Sequence, residues 1–361
     1  MVNRQALIQA LIPQSVRDGE AYQVADATGL IKLDAMENPF VWPESLQETL
    51  AAQLSRAALN RYPDPHATQV RQPLRDWMQI PESLEMLFGN GSDEVIALLI
   101  SNCIATGRAV CAPDPSFVMF RVLAHQYQVP FYGLPLDDAH DIDLDRWLSV
   151  IEETQPGIIF VPQPNNPTGN LFQIERLQRV VDQTQALVVI DEAYTAFTDA
   201  NYLAWAEEAP NVVIMRTLSK VGMAGSRFGM LIGHPDWIGE FDKIRLPYNI
   251  NALTQIAVRF ALEHADVLES QSAAIRTERA RLSDALRMRR IDVWPSEANF
   301  VVVQTPPSQA RAWFEKLKQH GILVKCLDGA HPSLADTLRI TVGAPHETDA
   351  LLSALDQFTA D

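Results

Sequence analysis

Between residues 90 and 250 the chain alternates short apolar runs with helical stretches, and few folds accept that pattern. The runs are 109–112, 158–161, 187–190 and 212–215, and the helical stretches are 93–103, 117–126, 144–154 and 174–185. A short strand that is apolar along its length is one buried on both faces, as in a parallel sheet covered by helices. The expectation is an α/β unit with a mostly parallel sheet flanked by helices. At 361 residues the chain exceeds one ordinary core. Residues 251–290 contain neither proline nor glycine and read as helix. After them, 299–304, 322–325 and 338–342 read as strands, with helices at 308–319 and 346–358, which together predict a smaller α+β domain. The expected division is 1–45 as an N-terminal arm with part of the small domain and 46–250 as the large domain. Connecting helices take 251–290 and the small domain 291–361. The proline- and turn-rich first forty residues are expected to dock on one of the domains.

Composition narrows the function. The formal net charge is −16, whereas nucleic-acid and membrane-surface partners call for a basic face. The three cysteines, Cys103, Cys111 and Cys326, are widely spaced and show no metal-ligand pattern, so buried thiols in a reducing compartment are expected. The start is too broken for a signal peptide, and no run approaches the roughly 20 apolar residues of a membrane span. A cytoplasmic protein without a metal is the expectation. No His-Glu-x-x-His pair or Walker loop occurs, and the dinucleotide pattern begun by Gly89-Asn90-Gly91 fails at Glu94.

Ligands of an open parallel sheet bind beyond the carboxyl ends of its strands. The run at 158–161 leads into Pro164-Asn165-Asn166-Pro167-Thr168-Gly169, the run at 187–190 into Asp191-Glu192-Ala193-Tyr194, and the run at 212–215 into Thr217-Leu218-Ser219-Lys220. A parallel sheet brings an amide, a carboxylate, a phenol and an amine to one crevice. Pyridoxal phosphate needs such a set: an amine for its aldehyde, a carboxylate for its ring nitrogen, and donors for its ring hydroxyl. Its phosphate needs backbone N–H groups at a helix start, with hydroxyls and a cation. Gly91-Ser92-Asp93 before the helical run at 95–100 fits that end, with Ser92 or Asp93 as the expected cap. Lys220 is one of only six lysines and alone follows a buried run inside a serine-containing turn.

At these residues the chain resembles the class I/II aminotransferases of fold type I, and among them the histidinol-phosphate aminotransferase family. The resemblance is carried by 33–39, 60–65, 89–94, 164–169, 191–194, 219–227 and 339–343, in family order across nearly the whole chain. It implies that Lys220 joins the cofactor and shuttles a proton, that Asp191 partners the ring nitrogen, and that Tyr194 and Asn166 serve the ring hydroxyl. Gly91, Ser92, Asp93, Ser219, Arg227 and, less directly, Thr217 match phosphate-facing positions. Tyr62 matches a tyrosine that reaches the neighbouring subunit's phosphate, which implies a homodimer with shared sites. Arg339 resembles the arginine that binds the substrate acid, and Asn38 and Tyr22 match pocket positions. Phe117 stands where many relatives stack a tyrosine on the ring, and Lys325 where some carry an arginine near the substrate phosphate. The implied reaction is transamination between histidinol phosphate and 2-oxoglutarate, giving imidazole-acetol phosphate and glutamate, a step of L-histidine biosynthesis. An aromatic amino-acid aminotransferase and a phosphothreonine-type decarboxylase are the rivals. A cofactor-binding regulatory module is disfavoured because no basic stretch is present.

Overall fold

The computed structural model describes residues 3–19, 21 and 24–359. In chain order its strands are β1 Ile31–Lys32, β2 Glu85–Asn90, β3 Val110–Asp114, β4 Phe131–Pro135, β5 Ile158–Pro162, β6 Leu187–Asp191, β7 Val212–Thr217 and β8 Phe228–Gly233. They continue with β9 Asp292–Val293, β10 Phe300–Gln304, β11 Ile322–Leu323, β12 Lys325–Cys326 and β13 Thr337–Thr341.

The large sheet has the order β2-β8-β7-β6-β5-β3-β4. Strands β3 to β7 pair in parallel, while β8 runs antiparallel to both its neighbours. The mostly parallel expectation holds, with one strand reversed. Side-chain alternation along each strand feeds two apolar layers. In β6, Val188 and Ile190 join the layer that contains Trp147 and Leu177, whereas Leu187 and Val189 join the layer that contains Phe120 and Leu99. Both layers exclude water, so every residue of β5, β6, β7 and β8 is buried. This explains the unbroken apolar runs in the sequence.

A second sheet has the order β12-β13-β10-β9, with each pairing antiparallel. It packs with the helices Ala265–Met288, Ala310–Gln319 and Pro345–Thr359 around its own apolar cluster. The single strand expected at 322–325 is two short ones, because β11 leaves that sheet to pair in parallel with β1. The N-terminal arm is more helical than its turn-rich composition suggests, with helices Arg4–Leu11 and Gln14–Arg17. Neither helix buries a whole residue, although Gln14–Arg17 lies against the helix Val118–Gln126, and the first fully buried residue of the arm is Leu33.

Candidate active site

The carboxyl ends of β2, β3, β5, β6 and β7 share one edge of the large sheet, and β8, being reversed, begins there. That edge carries Gly91, Phe117, Asn166, Asp191, Tyr194, Lys220 and Arg227. From the second sheet, Arg339 of β13 reaches across.

Lys220 sits in a wide helical turn, Ser219–Met223, directly after β7. Its ammonium lies 5.9 Å from the centre of the Tyr194 ring. The residue keeps some surface toward the crevice, yet burial lowers its amine to about 8, with the Arg339 charge adding to the effect. Asp191 is 6% exposed and accepts the Ala193 N–H at 3.0 Å. Burial raises its carboxyl to about 7 against the opposing pull of that N–H and of Lys220. Burial likewise pushes the Tyr194 hydroxyl up, while Arg339 and the Asn166 amide oppose the rise. Arg339 donates to Asn166 Oδ1 at 2.6 Å and to the Asp34 carbonyl at 2.9 Å. The five groups therefore form one electrostatically coupled cluster assembled from two sheets.

Beside it lies an anion-ready corner. The helix Ser92–Thr106 starts without a side-chain cap, and Gly91, not Ser92 or Asp93, occupies the capping position at φ 82°. This corrects the capping expectation and leaves the first N–H groups unclaimed by a side chain. Arg227 donates to Ser219 Oγ at 3.3 Å and meets Asp93 at 3.4 Å. A Cβ on Gly91 would crowd the movable guanidinium of Arg227, and the φ of 82° there favours glycine, which leaves the corner open. Thr217 turns its hydroxyl inward, donating to the Phe228 carbonyl at 3.0 Å and accepting the Ser219 N–H at 3.1 Å. Its role here is to brace Ser219. Gly229 permits the close approach of β8, since a Cβ there would lie 2.5 Å from the Gly91 carbonyl carbon. Gly229→Ala is expected to cost about 1–3 kcal/mol of stability and to weaken phosphate binding, as urea unfolding with and without phosphate would show.

Other expected residues divide. Phe117 is half-buried beside the corner, edge-on to Phe120 at 5.6 Å. Lys325 is exposed and stands directly opposite Arg339 across β12 and β13, on the same face of the sheet. Asn38 donates its amide to the Val221 carbonyl at 3.2 Å and to Gln271 at 2.9 Å, which clamps the Lys220 turn. Tyr62 is 82% exposed and stacks on Tyr248 at 4.6 Å. Tyr22 lies outside the described residues. Sequence reasoning missed Phe300, whose ring meets Tyr194 at 5.5 Å and Arg339 at 5.5 Å. It also missed the buried Glu192–Arg216 pair at 2.6 Å. An arginine closing the apolar run of β7 was the available signal.

These residues fit pyridoxal phosphate on the chain's own geometry. A buried carboxylate matches a basic ring nitrogen, an amine of lowered pKa matches an aldehyde, and the Gly91–Arg227 corner matches a phosphate. Comparison with known proteins points the same way. The family described as aminotransferase class I and II matches residues 28–358. A histidinol-phosphate aminotransferase of Nitrosococcus oceani is 46% identical over 93% of this chain and 93% of its own. One from Chromobacterium violaceum is 45% identical over 97% of this chain and 98% of its own. The histidinol-phosphate aminotransferase of Sinorhizobium meliloti, solved in complex with pyridoxal-5'-phosphate, shares the fold. Its TM-score is 0.85 at 23% identity, over 97% of this chain and 98% of that one.

Proposed function

The chain belongs to the class I and II aminotransferases, and within them to the histidinol-phosphate aminotransferases, and from that premise we propose that it exchanges an amino group between histidinol phosphate and 2-oxoglutarate. The products are imidazole-acetol phosphate and glutamate, and the step serves L-histidine biosynthesis. Pyridoxal phosphate is the cofactor, and when bound it supplies an electron sink for charge developing on the substrate carbon.

The protein's own groups do the rest. Lys220, with its amine lowered to about 8, holds an unprotonated fraction near neutral pH and so takes up and returns the substrate proton. Asp191 is buried where its charge needs a counter-ion, which makes it the partner of a protonated ring nitrogen. Tyr194, held protonated by burial, donates toward the ring oxygen, and Asn166 beside it does the same. Arg227, Ser219 and the N–H groups of Ser92 and Asp93 take the cofactor phosphate. Arg339 offers a planar fork to the substrate's carboxylate or phosphate. Because the same guanidinium holds Asn166, a substrate acid on Arg339 is felt at the ring-oxygen donors. Lys325, opposite Arg339, adds a second cation for a phosphate.

The observation that carries this reading is that Lys220, Asp191, Tyr194 and Asn166 come together from the ends of three neighbouring strands, with Arg339 of the other sheet bonded to Asn166. Its test is the pair of half-reactions. Glutamate alone is expected to convert the visible spectrum of the holoenzyme, imidazole-acetol phosphate to restore it, and steady-state plots to be ping-pong. A holoenzyme that does not respond to glutamate contradicts the reading.

The same reading includes a homodimer in the cytoplasm. Tyr62 and Tyr248 form an exposed stacked pair, and Leu59 and Leu246 are 74% and 72% exposed. Exposed apolar side chains of this kind are what a subunit interface covers. All three cysteines are free, which suits a reducing compartment. No helix among the described residues is long and apolar enough to cross a membrane.

A further inference from the structure

Behind Asp191 and Thr217 lies a charge pair with no part in the chemistry assigned so far. Glu192 Oε2 accepts from Arg216 Nε at 2.6 Å, with side chains 1% and 4% exposed. Every arm is engaged. Glu192 Oε1 accepts the Tyr202 N–H at 2.7 Å, and Arg216 donates to the Met78 carbonyl at 3.3 Å and to Asn201 Oδ1 at 3.2 Å. Four chain segments therefore meet at one pair, which sits one residue beyond Asp191 on β6 and one before Thr217 on β7. The Glu192 N–H also donates to the Met215 carbonyl at 2.8 Å, so the two strands stay laced past their last paired residues.

Stability is a poor reason for such a pair. Two charges removed from water recover little more than their desolvation cost, and apolar residues of similar volume contribute as much or more. What the pair supplies is direction, through bonds to fixed partners. It also stands at a boundary. A cavity of about 390 Å³ behind the sheet edge is lined by Arg216, Thr217 and Val221, but not by Asp191 or Glu192. Arg216 thus meets that cavity on one side and Glu192 on the other.

We propose that Glu192 and Arg216 are positioning residues that fix the ends of β6 and β7, and with them the placement of Asp191 and Lys220 toward the cofactor. The proposal rests on the reading of the crevice as a pyridoxal-phosphate site. A fold brace and a positioning pair differ in what survives its removal. In the double variant Glu192→Gln/Arg216→Met both charges go and the volume stays. The cofactor-free double variant is expected to melt within about 5 °C of wild type. Its dissociation constant for pyridoxal phosphate is expected to rise about tenfold or more, and the pH midpoint of the bound cofactor's visible transition to move by about one unit. Arg216→Lys keeps the charge and loses the fork, so it should also bind the cofactor at least about threefold more weakly. A folded double variant with unchanged affinity and midpoint overturns the proposal. If the double variant does not fold, an Arg216→Lys protein with wild-type affinity and midpoint overturns it equally. Wild-type protein that binds no pyridoxal phosphate removes the reading of the crevice, and the proposal with it.

Discussion

Replacing Lys220 by alanine is expected to lower transamination by on the order of 10⁴-fold while leaving the fold intact. Among the described residues no other lysine follows a strand end at this edge of the large sheet, and Lys325 is exposed on the second sheet. Its pKa is lowered to about 8 mainly by burial, so the protonated form is disfavoured where it stands. Removing it takes away a poorly solvated cation, and the cofactor-free variant should melt no lower than wild type. Lys220→Arg should not rescue turnover, because a guanidinium does not release its proton at any working pH. Turnover under saturating substrate, with melting curves of both variants, checks the separation of chemistry from stability. A variant retaining a tenth or more of wild-type turnover would remove Lys220 from the chemistry.

The second large effect belongs to Asp191. Asp191→Asn preserves the shape and the bond to the Ala193 N–H but removes the charge, and a buried charge left without its partner costs about 3–5 kcal/mol. Turnover should fall on the order of 10²–10⁴-fold as a result. The same residue gives a stability signature in the cofactor-free protein. Its carboxyl is raised in the folded state to about 7 from the ordinary 3.8. Between those values the folded chain holds a proton that the unfolded chain has released. Its stabilising contribution is full below the unfolded value and is lost as pH rises through about 7. Urea unfolding at about pH 5 and about pH 8 should show this loss in wild type and its absence in Asp191→Asn. An equal pH dependence in both proteins would show that Asp191 titrates as an ordinary exposed acid.

Much of this arrangement is legible in the sequence. The runs 158–161, 187–190 and 212–215 are apolar throughout because both faces of their strands are buried, and that feature makes a parallel sheet readable. Strand β8 was harder. Its Phe228-Gly229-Met230-Leu231-Ile232-Gly233 is equally buried, but it follows the Lys220 turn without an intervening long helix, so the βα rhythm does not announce it. The pairing of β1 with β11 joins segments nearly 300 residues apart, as Ile31 with Ile322, and leaves no local pattern, and β9 is too short, at two residues, to show one. At the site, Lys220, Asp191, Tyr194 and Asn166 were readable because each sits just past a recognisable run. The contact of Arg339 with Asn166 joins residues 173 positions apart, and no spacing rule reports it. Thr217 and Asn38 show the reverse. Each has the right chemistry beside the crevice, yet its polar atoms are directed into bracing the Lys220 turn.

The central claim is that one amine, at residue 220, receives the aldehyde of pyridoxal phosphate at the rim of the large sheet. Incubating the protein with the cofactor, reducing it with borohydride and mapping the adduct by peptide mass spectrometry tests this directly. The account predicts a single dominant modification on the peptide containing Lys220, absent when that residue is alanine. A label spread over surface lysines, or carried mainly by another position, would contradict it.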